Sequence, residues 1–376
     1  MNLEEYRKQI DIVDDEIVRL FQERMSIAAK IAEYKKEQGL PILQPARERA
    51  KLAEVSGKSR EDMQSYMRVL YSLLFELSRT YQEKGNRTDL YYKIESAIEN
   101  TPRLFPQSAS VACQGVEGAY SQIACEKLFK NPKIQYFRNF EGVFSAIEAG
   151  FCRYGILPIE NSTAGSVKRV YDLMLKHNFS IVRTVRMKVD HCLLAKAAHG
   201  EITEIFSHEQ ALAQCAEFIK RMGNVKVTVC ENTAVAAQMV AQSERTDIAA
   251  ISSRYCAELY GLKILQNAVQ DGGNNHTRFL CISKNTEIYP GADKTSIMMV
   301  LPHKPGALYK VLARLYALDI NLLKLESRPI PERDFEVMFY LDLETSIYSE
   351  EFVQLMCEIG GICEEFTYLG SYSEVV

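Results

Sequence analysis

Between Leu3 and Tyr34 the apolar residues Leu3, Tyr6, Ile10, Val13, Ile17, Leu20, Ile27, Ile31 and Tyr34 recur at spacings that alternate between three and four. That period draws one stripe along a single helix of about nine or ten turns, and Gly39 and Pro41 mark its end. Two shorter helical patterns follow, over 45–55 and 61–82. The second carries Met67, Leu70, Leu74, Leu77 and Tyr81 on one face. One long and two shorter helices cannot cover so long a stripe. Residues 1–84 are therefore expected to form an all-α domain that intertwines with a second copy.

A chain of 376 residues exceeds one ordinary core. The polar stretch 85–106 reads as a linker holding one short helix. From 107 to 285 short apolar strands alternate with helical patterns, as in "SVACQG", "AYSQIACEKLF", "KVTVCE" and "TAVAAQMVAQ". This alternation predicts a doubly wound α/β domain of two lobes, with ligands bound where strands give way to helices. Residues 294–376 read strand, helix, strand, strand, helix, strand, the order of a ferredoxin-like α+β domain.

Composition narrows the function. With 45 basic and 49 acidic residues, a net charge of −4, there is no basic excess to hold nucleic acid. No apolar run approaches the ~20 residues of a membrane span. The acidic start lacks the apolar core of a signal peptide. The 10 cysteines form no CxxC pair and the 6 histidines no HExxH. The expectation is a cytoplasmic protein with reduced thiols, no metal and no cofactor.

Charges in the helical segment need a reason. Arg24 occupies the apolar stripe, and Lys35 lies three turns further on the same face, about 16 Å away. Either could snorkel to water. Yet Ser78 and Gln82 share a face of the third helix, Arg47 and Glu48 open the second, and Arg7 lies near the start of the first. Together they suggest a pocket for a compact dianion.

Segment 1–84 resembles the all-helical chorismate mutase domain. It matches the early Arg, the Arg and Lys eleven apart, the turn "PILQPARE" (41–48), and the Ser and Gln of the last helix. By that resemblance Arg7 of the partner subunit, Arg24 and Arg47 clamp the two carboxylates of chorismate. Lys35 and Gln82 bond its ether oxygen, Glu48 holds its hydroxyl and Ser78 assists. A pericyclic rearrangement needs a held conformer and donors at the breaking C–O bond, with no nucleophile. Where the family usually has Asp, this chain has Gln44, which can hydrogen-bond but carries no charge.

Three polar clusters punctuate the central segment: "ENSTAGSV" (160–167), "SHEQALAQC" (207–215) and "NNHTRFL" (274–280). Capping and turn chemistry explain any one of them alone. With "GVEGAYS" (115–121) they resemble prephenate dehydratase over the full segment. The resemblance makes Thr277 the general acid for the departing ring hydroxyl as CO2 leaves, and Arg278 a partner for a carboxylate. Asn161, Ser207 and Gln214 would position prephenate, with Glu160 and His208 lining the site. A lone hydroxyl is a weak acid, but aromatisation drives the elimination.

In the last segment "HKPGALYKVL" (303–312) and "INLLKLESRP" (320–329) resemble the motifs of the amino-acid-binding ACT domain. That implies L-phenylalanine bound by Gly306, Ala307, Leu308, Asn321, Glu326, Ser327 and Arg328 between paired domains, as a feedback inhibitor. The whole chain is thus expected to be a homo-oligomer, dimer or tetramer, making phenylpyruvate from chorismate through prephenate. Two other readings remain: a dehydratase whose helical domain only dimerises, and a non-catalytic sensor of small anions.

Overall fold

The computed structural model describes residues 2–41, 43–83, 88–196, 201–331, 333–334, 336–348 and 350–376. It divides into two compact units, Met1–Thr88 and Asp89–Val376.

The first unit is helical. Helix α1 (Leu3–Glu37) begins at a capping box, in which Asn2 accepts from Glu5 N and the Glu5 carboxylate accepts from Asn2 N. Gly39, with φ +63°, ends it. Helices α2 (Pro45–Lys58) and α3 (Gln64–Glu83) pack as a pair, and α3 also packs on α1. Within α1 only Met25 and Ala28 are buried. The nine stripe residues from Leu3 to Tyr34 remain 44–66% exposed, so this chain alone leaves the stripe open to water.

The second unit begins with helix α4 (Asp89–Asn100), inside the stretch expected as a linker. Tyr91, Ile94 and Ala97 bury themselves among Leu341, Leu343, Phe352 and Met356 of the C-terminal segment. Residues 84–87 of that stretch lie outside the described residues. Further along, Phe105 packs on Phe129, Tyr154 and Tyr289, under the Arg183 guanidinium at 4.4 Å.

The central segment builds two α/β lobes. The first sheet runs Glu374–Val375, Ser180–Lys188, His276–Ser283, Tyr154–Asn161, Ser110–Gln114, Lys133–Phe137, with Gly165–Ser166 beside Tyr154–Asn161. The second runs Lys263–Gln266, Cys192–Ala195, Ile248–Ser252, Glu204–His208, Lys226–Cys230. Both are mixed, a detail that the expected doubly wound alternation does not specify. His276–Ser283 enters the first sheet antiparallel to both neighbours, and Cys192–Ala195 does the same in the second. Local strand–helix alternation does not reveal the direction in which a returning strand is inserted.

The C-terminal segment follows the order β-α-β-β-α-β. Its antiparallel sheet runs Asn321–Pro329, Val337–Glu344, Lys294–Val300, Glu365–Tyr372. One sheet face carries Ile297, Met299, Leu341 and Leu343 under helices. The other carries Met298, Met338 and Tyr340 into one core with Leu157, Tyr171 and Leu280 of the central domain. The last strand, Glu374–Val375, joins the central sheet. Among the described residues no helix is long and apolar enough to cross a membrane.

Gly370 permits this close docking. Its φ is +138°, and a Cβ there would lie 2.3 Å from the Ile181 carbonyl oxygen. We expect Gly370→Ala to cost roughly 2–3 kcal/mol and lower the melting temperature by about 5–10 °C. An unchanged melting curve would mean that the two strands do not approach as described.

Candidate functional site

The central site grows from an irregularity between two strands. Thr277 pairs with Asn161, Arg278 with Glu160 and Phe279 with Pro158, which leaves Ile159 as an extra residue. Before this bulge Leu157 shares one cluster with Leu280 and Ile282, while Ile156 shares the opposite cluster with Phe279 and Cys281. The extra residue reverses the alternation beyond it. Glu160 therefore joins Arg278 on one face, and Asn161 joins Thr277 on the other.

On the Thr277 face a hydrogen-bonded network forms. Asn161 Nδ2 donates to Thr277 Oγ1 at 2.9 Å and to Asn275 Oδ1 at 2.7 Å. Asn161 Oδ1 accepts from the backbone N–H groups of Thr163 (3.0 Å) and Ala164 (2.9 Å). Gln214 Nε2 donates to Thr163 Oγ1 at 2.9 Å, and its Oε1 accepts from Asn275 Nδ2 at 2.9 Å. Among the described residues no acceptor takes the Thr277 hydroxyl proton, which leaves it available to a ligand. Thr163, Gln214 and Asn275 border a cavity of about 420 Å³ that Gln210, Gln270 and Asp271 also line. Thus Asn161, Gln214 and Thr277 come together as the sequence led us to expect.

Four expected residues stand elsewhere. Ser207 is fully buried and donates to the Ile251 carbonyl at 2.6 Å, inside the second sheet. His208 caps a helix, its Nδ1 accepting from Gln210 N at 3.2 Å, and burial lowers its pKa. Arg278 faces away from Thr277 and is held by protein carboxylates. Its Nη2 bonds Asp342, and its Nε lies 2.7 Å from Glu160, off the N–H axis, as an ion pair without a directed hydrogen bond. Burial, the largest single influence, opposes the charge on Arg278, but Asp342, Tyr340, Tyr372 and Glu160 together outweigh it and the pKa rises. Glu160 in turn bonds Lys324.

In the helical unit Arg24 reaches from α1 to the Ser78 hydroxyl and to the Leu74 carbonyl at 3.1 Å, with its guanidinium 5.9 Å over Phe75. Burial lowers its pKa. Gln82 Oε1 is buried and has no hydrogen-bond partner among the described residues, a cost that a ligand could relieve. Lys35 is half-buried, whereas Arg7 and Arg47 are exposed. Glu48 pairs with Arg79, which also bonds Glu76 at 3.1 Å. Gln44 precedes α2 without capping it through its side chain.

The C-terminal candidates split into two groups. Gly306, at φ +81°, caps the helix Ala307–Ala317 that Ala307 and Leu308 open. Along Asn321–Pro329, Ser327 is exposed and Asn321 donates to Glu344 at 2.9 Å. Glu326 and Arg328 instead meet the central domain: Glu326 accepts from Ser166 Oγ at 2.7 Å, and Arg328 bonds Asp172 at 2.8 Å.

Comparison with known proteins fits this division. The family model for chorismate mutase type II matches residues 6–83, and that for prephenate dehydratase matches 111–287. A bifunctional chorismate mutase/prephenate dehydratase of Aquifex aeolicus is 31% identical over 380 residues, spanning 100% of this chain and 98% of its own. This chain belongs to that family. An arogenate dehydratase/prephenate dehydratase of Arabidopsis thaliana is 39% identical over 278 residues, covering 70% of this chain and 72% of its own. Among solved structures, one described as a novel type of quorum quenching acylase has a TM-score of 0.63 at 30% identity, over 70% of this chain and 97% of that one. A prephenate dehydratase from Arthrobacter aurescens, solved with L-Phe, has a TM-score of 0.64 at 24% identity, over 70% of this chain and 89% of that one.

Sequence reasoning missed two members of the central network, Asn275 and His191. Asn275 stands within the quoted motif, so its neighbours were a signal. His191 gave none, because it stands alone in the connection between Ser180–Lys188 and Cys192–Ala195, outside every quoted motif. It is buried, its Nε2 lies 3.0 Å from Gln214 Oε1, and burial lowers its pKa. With an amide oxygen opposite, that nitrogen carries the proton and fixes the Gln214 amide.

The lowered folded-state pKa sets the sign of a pH effect. The neutral ring contributes its full stability above the unfolded value of about 6.5, and that contribution is lost as pH falls through the lower folded value. We expect His191→Gln to flatten the acid side of the stability–pH curve below about pH 6.5 and to cost dehydratase turnover about tenfold. A variant with the parental stability profile and rate would remove His191 from the network.

Proposed function

We propose that the chain catalyses two consecutive steps, the rearrangement of chorismate to prephenate and the conversion of prephenate to phenylpyruvate, CO2 and water, in phenylalanine synthesis. The observation that carries the reading is Thr277, oriented by Asn161, its proton unclaimed among the described residues, in a network whose Gln214 and Asn275 line the cavity. As the ring carboxylate departs as CO2, its bonding electrons aromatise the ring and expel the ring hydroxyl. Thr277 donates a proton to that oxygen and regains one from solvent. Gln214 and Asn275 offer amides to the substrate. Ser207 and His208 support the site through the strand and the helix cap they stabilise.

The same fold also occurs in a structure described as an acylase, so function has to be argued from the site. Acyl transfer through a hydroxyl needs a base on that hydroxyl. Here Asn161 donates to Thr277, and no histidine or carboxylate among the described residues bonds it. That favours elimination.

In the helical domain Arg24, Arg47 and Arg7 of the partner subunit bind the chorismate carboxylates. Lys35 and Gln82 meet the ether oxygen, Ser78 orients Arg24, and Glu48 takes the substrate hydroxyl. The open stripe of α1 supports pairing with a second copy that brings Arg7 to the site. The C-terminal domain is a ferredoxin-like ACT domain in which Gly306, Ala307, Leu308, Asn321, Glu326, Ser327 and Arg328 respond to L-phenylalanine as a feedback inhibitor. Ten free cysteines, mostly buried, support a cytoplasmic setting.

The test is to assay purified full-length chain on chorismate, prephenate and arogenate. We expect Arg24→Ala to lower chorismate consumption about 10³-fold, and Thr277→Ala to lower phenylpyruvate formation about 10²–10⁴-fold with the mutase rate intact. Parent chain that leaves chorismate untouched would reduce residues 1–84 to a dimerisation device. Arogenate turnover in place of prephenate turnover would move the second step to the amino substrate.

A further inference from the structure

The reverse face of the strand pair that bears Asn161 and Thr277 carries a charge cluster, Glu160, Arg278, Lys324 and Asp342, of which the last two come from the C-terminal domain. Arg278 is 8% exposed and Asp342 is 0% exposed. Asp342 accepts from Arg278 and from Ser296 Oγ at 2.5 Å, with the Tyr372 hydroxyl at 3.4 Å. Lys324 bonds Glu160, lies 3.1 Å from Ser166 Oγ and sits 5.4 Å over the Tyr171 ring. Lys324, Glu326 and Arg328 are alternate residues of one edge strand, and Lys324 is the register partner of Asp342. All three point at the segment that carries "ENSTAGSV": Lys324 to Glu160 and Ser166, Glu326 to Ser166, Arg328 to Asp172.

We propose that Lys324 and Asp342 are positioning residues of the dehydratase site, and that the strand Asn321–Pro329 carries ligand occupancy of the C-terminal domain to Asn161 and Thr277. The geometry gives a direct route. Glu160 and Arg278 each adjoin one member of the Asn161–Thr277 hydrogen bond and are cross-strand partners. Ile159 is already a bulge, where a strand pair yields most easily. A sliding of Asn321–Pro329 pulls Lys324 from Glu160 and changes how Asn161 meets Thr277, whereas Asp342 keeps Arg278 fixed. The positioning claim rests on the dehydratase reading, and the coupling claim rests also on phenylalanine regulation.

The experiment compares full-length parent, Lys324→Met, Lys324→Arg and Asp342→Asn. It measures dehydratase kcat and KM, mutase rate, melting temperature, binding of labelled L-phenylalanine by equilibrium dialysis, and inhibition by it. We expect Lys324→Met to lower dehydratase kcat about tenfold or more with KM within about threefold, and Lys324→Arg to restore most of it. Asp342→Asn falls further, and the mutase rate holds in all. Lys324→Met binds phenylalanine like the parent but needs at least about tenfold more for half-inhibition.

Parental kcat in Lys324→Met overturns the positioning claim. So does a loss that Lys324→Arg fails to restore and that comes with a lowered melting temperature. Undiminished inhibition in Lys324→Met overturns the coupling claim. A parent that converts prephenate but binds no phenylalanine sinks the regulatory reading and the coupling with it, and kcat alone then judges the positioning. A parent without dehydratase activity sinks the reading beneath both.

Discussion

One extra residue in one strand decides what this protein can do with its central sheet. Without the bulge at Ile159, strict alternation would turn Glu160 and Asn161 the other way relative to Arg278 and Thr277. With it, two neighbouring cross-strand pairs serve two purposes. Asn161 and Thr277 hydrogen-bond beside the cavity network, while Glu160 and Arg278 form an ion pair behind it. The rear pair is anchored by Asp342, which is fully buried. Removing one partner from such a buried pair costs about 3–5 kcal/mol, so the arrangement is rigidly specified.

Both reactions can be run by groups held in place. Among the described residues no histidine or carboxylate bonds the hydroxyl of Ser78 or of Thr277. In the helices, Arg24 is fixed by Ser78 and the Leu74 carbonyl, so its charge is held in one orientation. In the central domain, Gln214 is fixed from two sides, by Asn275 and by His191. Such preorganisation costs nothing at the moment of reaction. The stripe of α1, by contrast, is left open to water in this chain alone.

Much of this was legible in the residues. The three–four spacing from Leu3 to Tyr34 and the stop at Gly39 gave α1 nearly to its observed bounds, because that pattern is local. The motifs around Asn161, Gln214 and Thr277 marked three members of the network. The bulge was not legible: its signal is a register between strands more than a hundred residues apart. For the same reason Arg278 and Glu160 read as substrate contacts, when the C-terminal domain claims them. Glu326 and Arg328 sat in the motif of a ligand site, yet the alternation of an edge strand turns them to the central domain. Helix α4 was expected as the short helix of a linker, but what its apolar residues Leu90, Tyr91, Ile94, Ala97 and Ile98 pack on was not legible, because Leu341 and Phe352 lie about 250 residues away.

The most direct test of the account is a crystal structure of the chain with an unreactive prephenate analogue bound. The account predicts the leaving-hydroxyl position within hydrogen-bond reach of Thr277 Oγ1. It places a carboxylate near the amides of Gln214 and Asn275, and it leaves Arg278 still paired with Asp342. A structure in which Arg278 has left Asp342 to bind a carboxylate of the analogue would contradict the division of the strand pair into a chemical face and a supporting face.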